Sequence, residues 1–217
     1  MKPRVKVCCI SSIEEAKLAI KYGASAIGLV GNMPSGPGVI SDELIAEIAR
    51  FTPPAVSTFL LSSETSADGI ISHCKRTATN IVQIVDEPDP GVYEKIREVI
   101  PYIKIVQVIH VMDEKSVVQA INISRHVDAL LLDSGNPNSA IKVLGGTGKT
   151  HNWQLSRQIV EQIDKPVFLA GGLNSINVAD AISLVQPYGI DLCSGVRTNG
   201  VLDEKKLQLF MKNAAVI

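Results

Sequence analysis

The stretch Ala129-Leu130-Leu131-Leu132-Asp133-Ser134-Gly135 sets four apolar residues in a row against a carboxylate and a turn. Four uninterrupted apolar residues closed by turn formers read as a short strand buried on both faces. Such strands belong to parallel sheets covered by helices, where chemistry collects at the carboxyl ends of the strands. Asp133 stands at that end, and it is the first candidate for a catalytic acid. A long polar loop follows, rich in Gly, Asn, Ser and Pro, and runs into Gly145-Gly146-Thr147-Gly148-Lys149-Thr150-His151-Asn152-Trp153.

The same beat extends in both directions. Apolar, strand-like runs fall at 5–10, 26–30, 56–61, 81–85, 103–111, 129–133, 167–170 and 190–193. Between them, apolar residues at helical spacing mark helices over 13–22, 66–76, 91–100, 114–124 and 153–163, a helix capped by Ser41, one from Asn174 or Ser175 to 185, and one over 203–213. Ser12 and Ser41 are N-cap types, and Gly23 stands where a helix C-terminus wants a left-handed residue. Eight strand-then-helix units with no break in composition predict an α/β protein, a single (β/α)8 TIM barrel over residues 1–217. A doubly wound sheet is the alternative. Its first turn would be Cys8-Cys9-Ile10-Ser11-Ser12, which carries no G-x-G-x-x-G.

Composition narrows the function. Hydrophobic residues make up 46% of the 217 and charged residues 20%, enough for a large core and too apolar for disorder. A formal net charge of −1 without a basic cluster argues against a nucleic-acid or membrane footprint. No apolar run is long enough to span a bilayer or to serve as a signal peptide. The four cysteines, Cys8, Cys9, Cys74 and Cys193, show neither C-x-x-C pairing nor a histidine at metal-ligand spacing. Free thiols in a reducing, cytoplasmic compartment are the expectation, with no metal site. Oligomeric state is not legible in the sequence.

In a barrel all strand ends open into one mouth, so each strand can be asked what it delivers there. The first brings Cys8 and Cys9, of which alternation lets only one face the pocket. The sixth brings Asp133, the seventh Gly171-Gly172, and the eighth Asp191, Ser194 and Gly195. Glycine turns on adjacent strands suit phosphate held by backbone N–H groups. Gly-Gly-Thr-Gly-Lys-Thr looks like a Walker A loop but has Val143 where that pattern needs glycine, so the run over 145–149 is expected to act as a lid. Of the four histidines only His151 lies near the mouth, and a surface role is expected for it. A Schiff-base aldolase would need a lysine ending a strand, and neither Lys6 nor Lys104 does so.

With these residues in place, the chain resembles the phosphoribosylanthranilate isomerase family from Lys6 to about Ala214. That family opens on Lys-x-Cys-Gly-Ile, and here the run is Lys6-Val7-Cys8-Cys9-Ile10. Leu130-Leu131-Leu132-Asp133, the Gly145–Trp153 run, Leu169-Ala170-Gly171-Gly172-Leu173-Asn174 and Asp191-Leu192-Cys193-Ser194-Gly195-Val196 resemble its later strands and lid. The resemblance implies an Amadori rearrangement of a phosphorylated aminosugar without cofactor or metal. In it Asp133 would be the general acid and Cys8 the general base, with Lys6 helping the thiolate. Lys6, Gly171, Gly172, Asp191, Ser194 and Gly195 would bind substrate. The family's Lys-Ser-x-Arg, whose arginine binds the anthranilate carboxylate, is replaced by Pro34-Ser35-Gly36-Pro37-Gly38. Arg197 stands where the family usually has Glu, and two expectations follow. Either Arg197 supplies the missing charge, or the chain acts on, or only binds, a different phosphorylated aminosugar.

Overall fold

The computed structural model describes residues 2–135 and 150–215. Eight parallel strands close on themselves: β1 (Arg4–Val7), β2 (Ala26–Val30), β3 (Ser57–Ser62), β4 (Ile81–Ile84), β5 (Lys104–His110), β6 (Ala129–Asp133), β7 (Val167–Leu169) and β8 (Gly189–Leu192). Closure rests on the β1–β8 pairing, with Arg4 opposite Gly189 and Val7 opposite Leu192. That pairing excludes the doubly wound alternative, whose edge strands would stay unpaired. The helices α1 (Ile13–Lys21), α2 (Asp42–Phe51), α3 (Ala67–Thr77), α4 (Val92–Val99), α5 (Glu114–Ser124), α6 (Trp153–Gln162), α7 (Val178–Val185) and α8 (Glu204–Ala214) return the chain between strands. Among the described residues no helix is long and apolar enough to cross a membrane.

Alternation along each strand divides the core in two. One set of side chains, including Ile27, Leu60, Ile105, Leu130 and Ile190, faces outward and packs under the helices. The other set, including Ala26, Phe59, Val106, Leu131 and Phe168, fills the barrel itself. Both faces are thereby buried, which is why the strands read as continuous apolar runs. Caps fix where helices begin: the side chains of Ser12, Ser41, Ser66, Asp113, Asn152 and Asp203 each accept a first-turn N–H.

Two segments differ from expectation, both beside the mouth. Helix α7 starts at Val178 rather than at residue 174 or 175. Asn174 and Asn177 instead staple the turn after β7: Asn177 Nδ2 donates to the Gly172 carbonyl at 3.0 Å, and Asn174 N–H donates to Asn177 Oδ1 at 2.9 Å. After β8 a 3-10 turn (Ser194–Val196) leads into a small hairpin of β9 (Arg197–Thr198) and β10 (Val201–Leu202). Its turn is Asn199-Gly200, both at positive φ, the usual two-residue hairpin chemistry.

Candidate active site

At the carboxyl end of the barrel lies a cavity that opens to solvent. Cys8 and Asp133 both line it, one from the residue after β1 and one from the last residue of β6. Of the other expected residues, Gly171, Gly172, Asp191 and Ser194 also line it. Val30, Leu61, Val85, Val108 and Leu131 give the wall an apolar part, and Ser35, Gln83 and Cys193 add polar groups to it.

Asp133 is buried, and Ser134 N–H donates to its Oδ1 at 2.8 Å. Burial disfavours its charged form and raises its pKa above the ordinary 3.8, with the nearby Asp191 carboxylate adding to the shift. The Ser134 N–H and the neighbouring His110 and Lys6 oppose that rise without cancelling it. A carboxyl so placed holds its proton to higher pH than an exposed one, as a general acid must.

Beneath the floor lies an ion pair. Lys6 is fully buried, donates to Asp191 Oδ1 at 2.9 Å, and sits 5.1 Å from the centre of the Phe59 ring. Burial pushes its ammonium toward neutrality, but attraction to Asp191, with Cys8 and Cys9 contributing, raises it above the ordinary lysine range. Gly28 on β2 makes the room for this arrangement: a Cβ there would stand 2.7 Å from Cys8 Sγ and 3.1 Å from Lys6 Nζ. The ammonium and the thiol therefore share one small volume. Lys6 does not reach the cavity wall, which corrects the expectation that it touches substrate.

Arg197 is also corrected. Its Nη1 donates to Glu15 Oε1 at 2.8 Å and its Nη2 to Glu15 Oε2 at 3.1 Å, a bidentate pair buried on both sides. Nη2 also donates to the Cys9 carbonyl at 2.6 Å and the Cys8 carbonyl at 3.2 Å, and Nη1 to the Gly200 carbonyl at 2.9 Å. Glu15 additionally accepts from Leu202 N–H and Ser11 N–H. This guanidinium clamps α1, the end of β1 and the hairpin together and does not face the cavity. Gly195 likewise lies behind the rim, packed on the Leu173 carbonyl. Among the described residues, no arginine or lysine lines the cavity.

The rim at β7 is shaped by Gly171 and Gly172, at φ +83° and +63°, a left-handed succession that residues with a Cβ resist. It turns the chain sharply at the strand end, where phosphate sites form in barrels of this type. His151 packs against this turn and is half-buried rather than on the surface. Its Nε2 and Ser156 Oγ are hydrogen-bonded at 2.7 Å, and burial takes its pKa down to about 4. One polar residue escaped the sequence reading. Gln83 on β4 is buried, lines the cavity, and its Oε1 has no hydrogen-bond partner. Its signal was available: a lone amide in Ile81-Val82-Gln83-Ile84, on the face that alternation turns inward. The expected lid over 145–149 lies outside the described residues.

The model of the N-(5'-phosphoribosyl)anthranilate (PRA) isomerase family matches residues 5–213. The chain belongs to that family. Among its curated relatives, N-(5'-phosphoribosyl)anthranilate isomerase 2 of Methanosarcina mazei is 36% identical over 213 residues, 97% of this chain and 93% of the relative. The isomerase of Haloarcula marismortui is 32% identical over 213 residues, 97% and 95% of the two chains. Among solved structures, phosphoribosyl anthranilate isomerase from Thermotoga maritima superposes with a TM-score of 0.83 at 30% identity, covering 99% of this chain and all of that one. A PRA isomerase in complex with reduced 1-(o-carboxyphenylamino)-1-deoxyribulose 5-phosphate superposes with a TM-score of 0.80 at 27% identity, covering 99% and 100%. Against the PRA isomerase pattern, one departure now has a physical reading. Cys9 takes a left-handed φ of +60°, a conformation that favours glycine, the residue the family pattern carries there.

Proposed function

We propose that this chain catalyses the Amadori rearrangement of N-(5'-phosphoribosyl)anthranilate, as a cytoplasmic enzyme built on one barrel domain. The observation that carries this reading is a buried carboxyl, Asp133, and a thiol, Cys8, in the wall of one cavity whose rim bears the β7 and β8 turns. In the proposed sequence the Asp133 carboxyl donates its proton to the furanose ring oxygen as the C1–O bond breaks. The aglycone nitrogen supplies the electron pair, giving a protonated Schiff base. Cys8, as thiolate, takes the C2 proton, and those electrons move to the C1–C2 bond to give an enolamine. Tautomerisation of the enolamine yields the 1-amino-1-deoxyketose phosphate.

Lys6 supports the base by placing a buried ammonium where the thiolate charge resides. Asp191 holds that ammonium in place. Gly171, Gly172 and Ser194 are assigned to the phosphate, held by backbone N–H groups. Gln83 offers a fixed acceptor to a substrate hydroxyl. The test is complementation. Expression in a tryptophan auxotroph lacking this isomerase restores growth on minimal medium, and failure with soluble, folded protein counts against the assignment.

A second reading draws on the wall opposite Asp133. Met33, Ser35, Gly36 and Pro37 line the cavity there, and Arg197 is committed to Glu15. A carboxylate on the aglycone would meet no cation from the described residues, whereas an uncharged aryl or alkyl amine would meet a suitable surface. Comparing kcat/KM for phosphoribosylanthranilate with its aniline counterpart decides. A preference of about tenfold or more for anthranilate, some 1.4 kcal/mol, supports the first reading, and equal values support the second.

A further inference from the structure

We propose that Cys9 and Cys193 are a modification site: a thiol pair poised to form a reversible disulfide that ties the end of β1 to the turn after β8 at the rim of the cavity. Their sulfurs lie 2.8 Å apart, although 184 residues separate them in sequence. A covalent S–S bond needs about 2.05 Å, so closure asks for a shift of less than one ångström. Both groups are free thiols in the reduced chain.

The Cys9 side chain is held toward its partner from several directions. Arg197 fixes the Cys8 and Cys9 carbonyls, and Gly38 packs so closely that a Cβ there would stand 2.6 Å from Cys9 Cβ. Left-handed backbone at a non-glycine residue is strained, a strain glycine would avoid. The side chain added here ends against a second sulfur.

The two thiols have different parts. Cys193 lines the open cavity and is only partly buried, so a small oxidant reaches it, while Cys9 lies behind it. The contact between the two sulfurs pulls the Cys193 thiol down despite burial, with the Arg197 cation adding to the effect. Cys9 itself is pushed up by that hydrogen bond, by Cys8 and by burial. By its access to the cavity Cys193 is thus the attacking sulfur and Cys9 the resolving one. With hydrogen peroxide as oxidant, Cys193 sulfur attacks the O–O bond, forming a sulfenic acid and releasing water once the leaving hydroxide is protonated. Cys9 sulfur then displaces the sulfenic hydroxyl as a second water. Two thiols and one peroxide give one disulfide and two waters, and a dithiol reductant reverses the change.

The experiment treats the reduced, folded protein with stoichiometric hydrogen peroxide, then maps thiols and peptides. The expected result is loss of two of the four free thiols, loss of two hydrogens in intact mass, and a cross-link recovered on reduction. Cys9→Gly and Cys193→Ser each abolish the cross-link, whereas Cys8→Ser keeps it. Retention of all four thiols, a cross-link that survives Cys9→Gly by using Cys8, or oxidation of Cys193 to sulfinic acid without a cross-link would overturn the proposal. None of these readouts depends on which substrate the cavity accepts.

Discussion

Asp133 and Arg197 stand at opposite ends of what single residues reveal. The place of Asp133 was legible, since a carboxylate closing an apolar strand falls at the strand's carboxyl end, and the structure puts it there, buried in the cavity wall. Arg197 was misread because its partner, Glu15, is 182 residues away, and no spacing rule connects them. Two substitutions separate their roles. Asp133→Asn keeps the shape and can still accept from Ser134 N–H, so turnover is expected to fall about 10²–10⁴-fold, the usual contribution of a general acid. Stability should not fall with it. A carboxyl whose folded pKa is raised loses folding stability as pH climbs from the unfolded value toward the folded one, so removing its charge leaves Tm at pH 7 equal or higher. A lower Tm would contradict the burial account. Arg197→Ala strands a buried carboxylate at a cost of about 3 kcal/mol. In a chain of this length that corresponds to a Tm loss of about 6–12 °C in calorimetry. KM for substrate is expected to hold, and a selective rise in KM would return Arg197 to the binding site.

At the scale of elements, the barrel's strands and helices were recovered, most with ends shifted by one or two residues, because two-sided burial writes itself into sequence as apolar runs; the larger shifts are the end of β1, at Val7 rather than residue 10, and the start of α7. Connections were harder. The Asn174–Asn177 staple delays α7, and the Asn199-Gly200 hairpin was overlooked although its turn dipeptide is a recognised signal. Strand β2 carries a subtler feature, since Gly28 faces the barrel where Cys8 and Lys6 meet. Gly28→Ala is expected to displace Cys8 Sγ from its position. A misplacement of that kind costs about 10²-fold in kcat, while KM changes little because the phosphate turns lie on other strands. A crystal structure of this variant with Cys8 unmoved would refute the close-packing argument.

For the whole molecule, acid stability should reflect the clamp that joins α1, β1 and the β9–β10 hairpin. Burial works against the Glu15 carboxylate, but Arg197 and the N–H groups of Leu202 and Ser11 outweigh it, so its pKa lies below the ordinary 4.5. Its contribution is therefore complete above the unfolded value and is lost as pH falls through the folded one. Tm followed from pH 6 to pH 3 should decline for the wild type, and Glu15→Gln should start lower and decline less (window of about three pH units around the carboxylate range). Parallel curves for the two proteins would remove Glu15 from that role. The barrel was legible as a whole because eight repeats of one pattern admit few closures. The aglycone side of the mouth was not, since it is built from loops whose shape depends on contacts distant in sequence.

The central claim is that Cys8 and Asp133 act together on one phosphorylated aminosugar. Its most direct test is a continuous fluorescence assay of phosphoribosylanthranilate consumption by the wild type, Cys8→Ser and Asp133→Asn at equal concentration. Turnover by the wild type is expected, with its loss, by at least about 10²-fold, in each variant with the fold retained. Wild-type turnover that persists in either variant would contradict it.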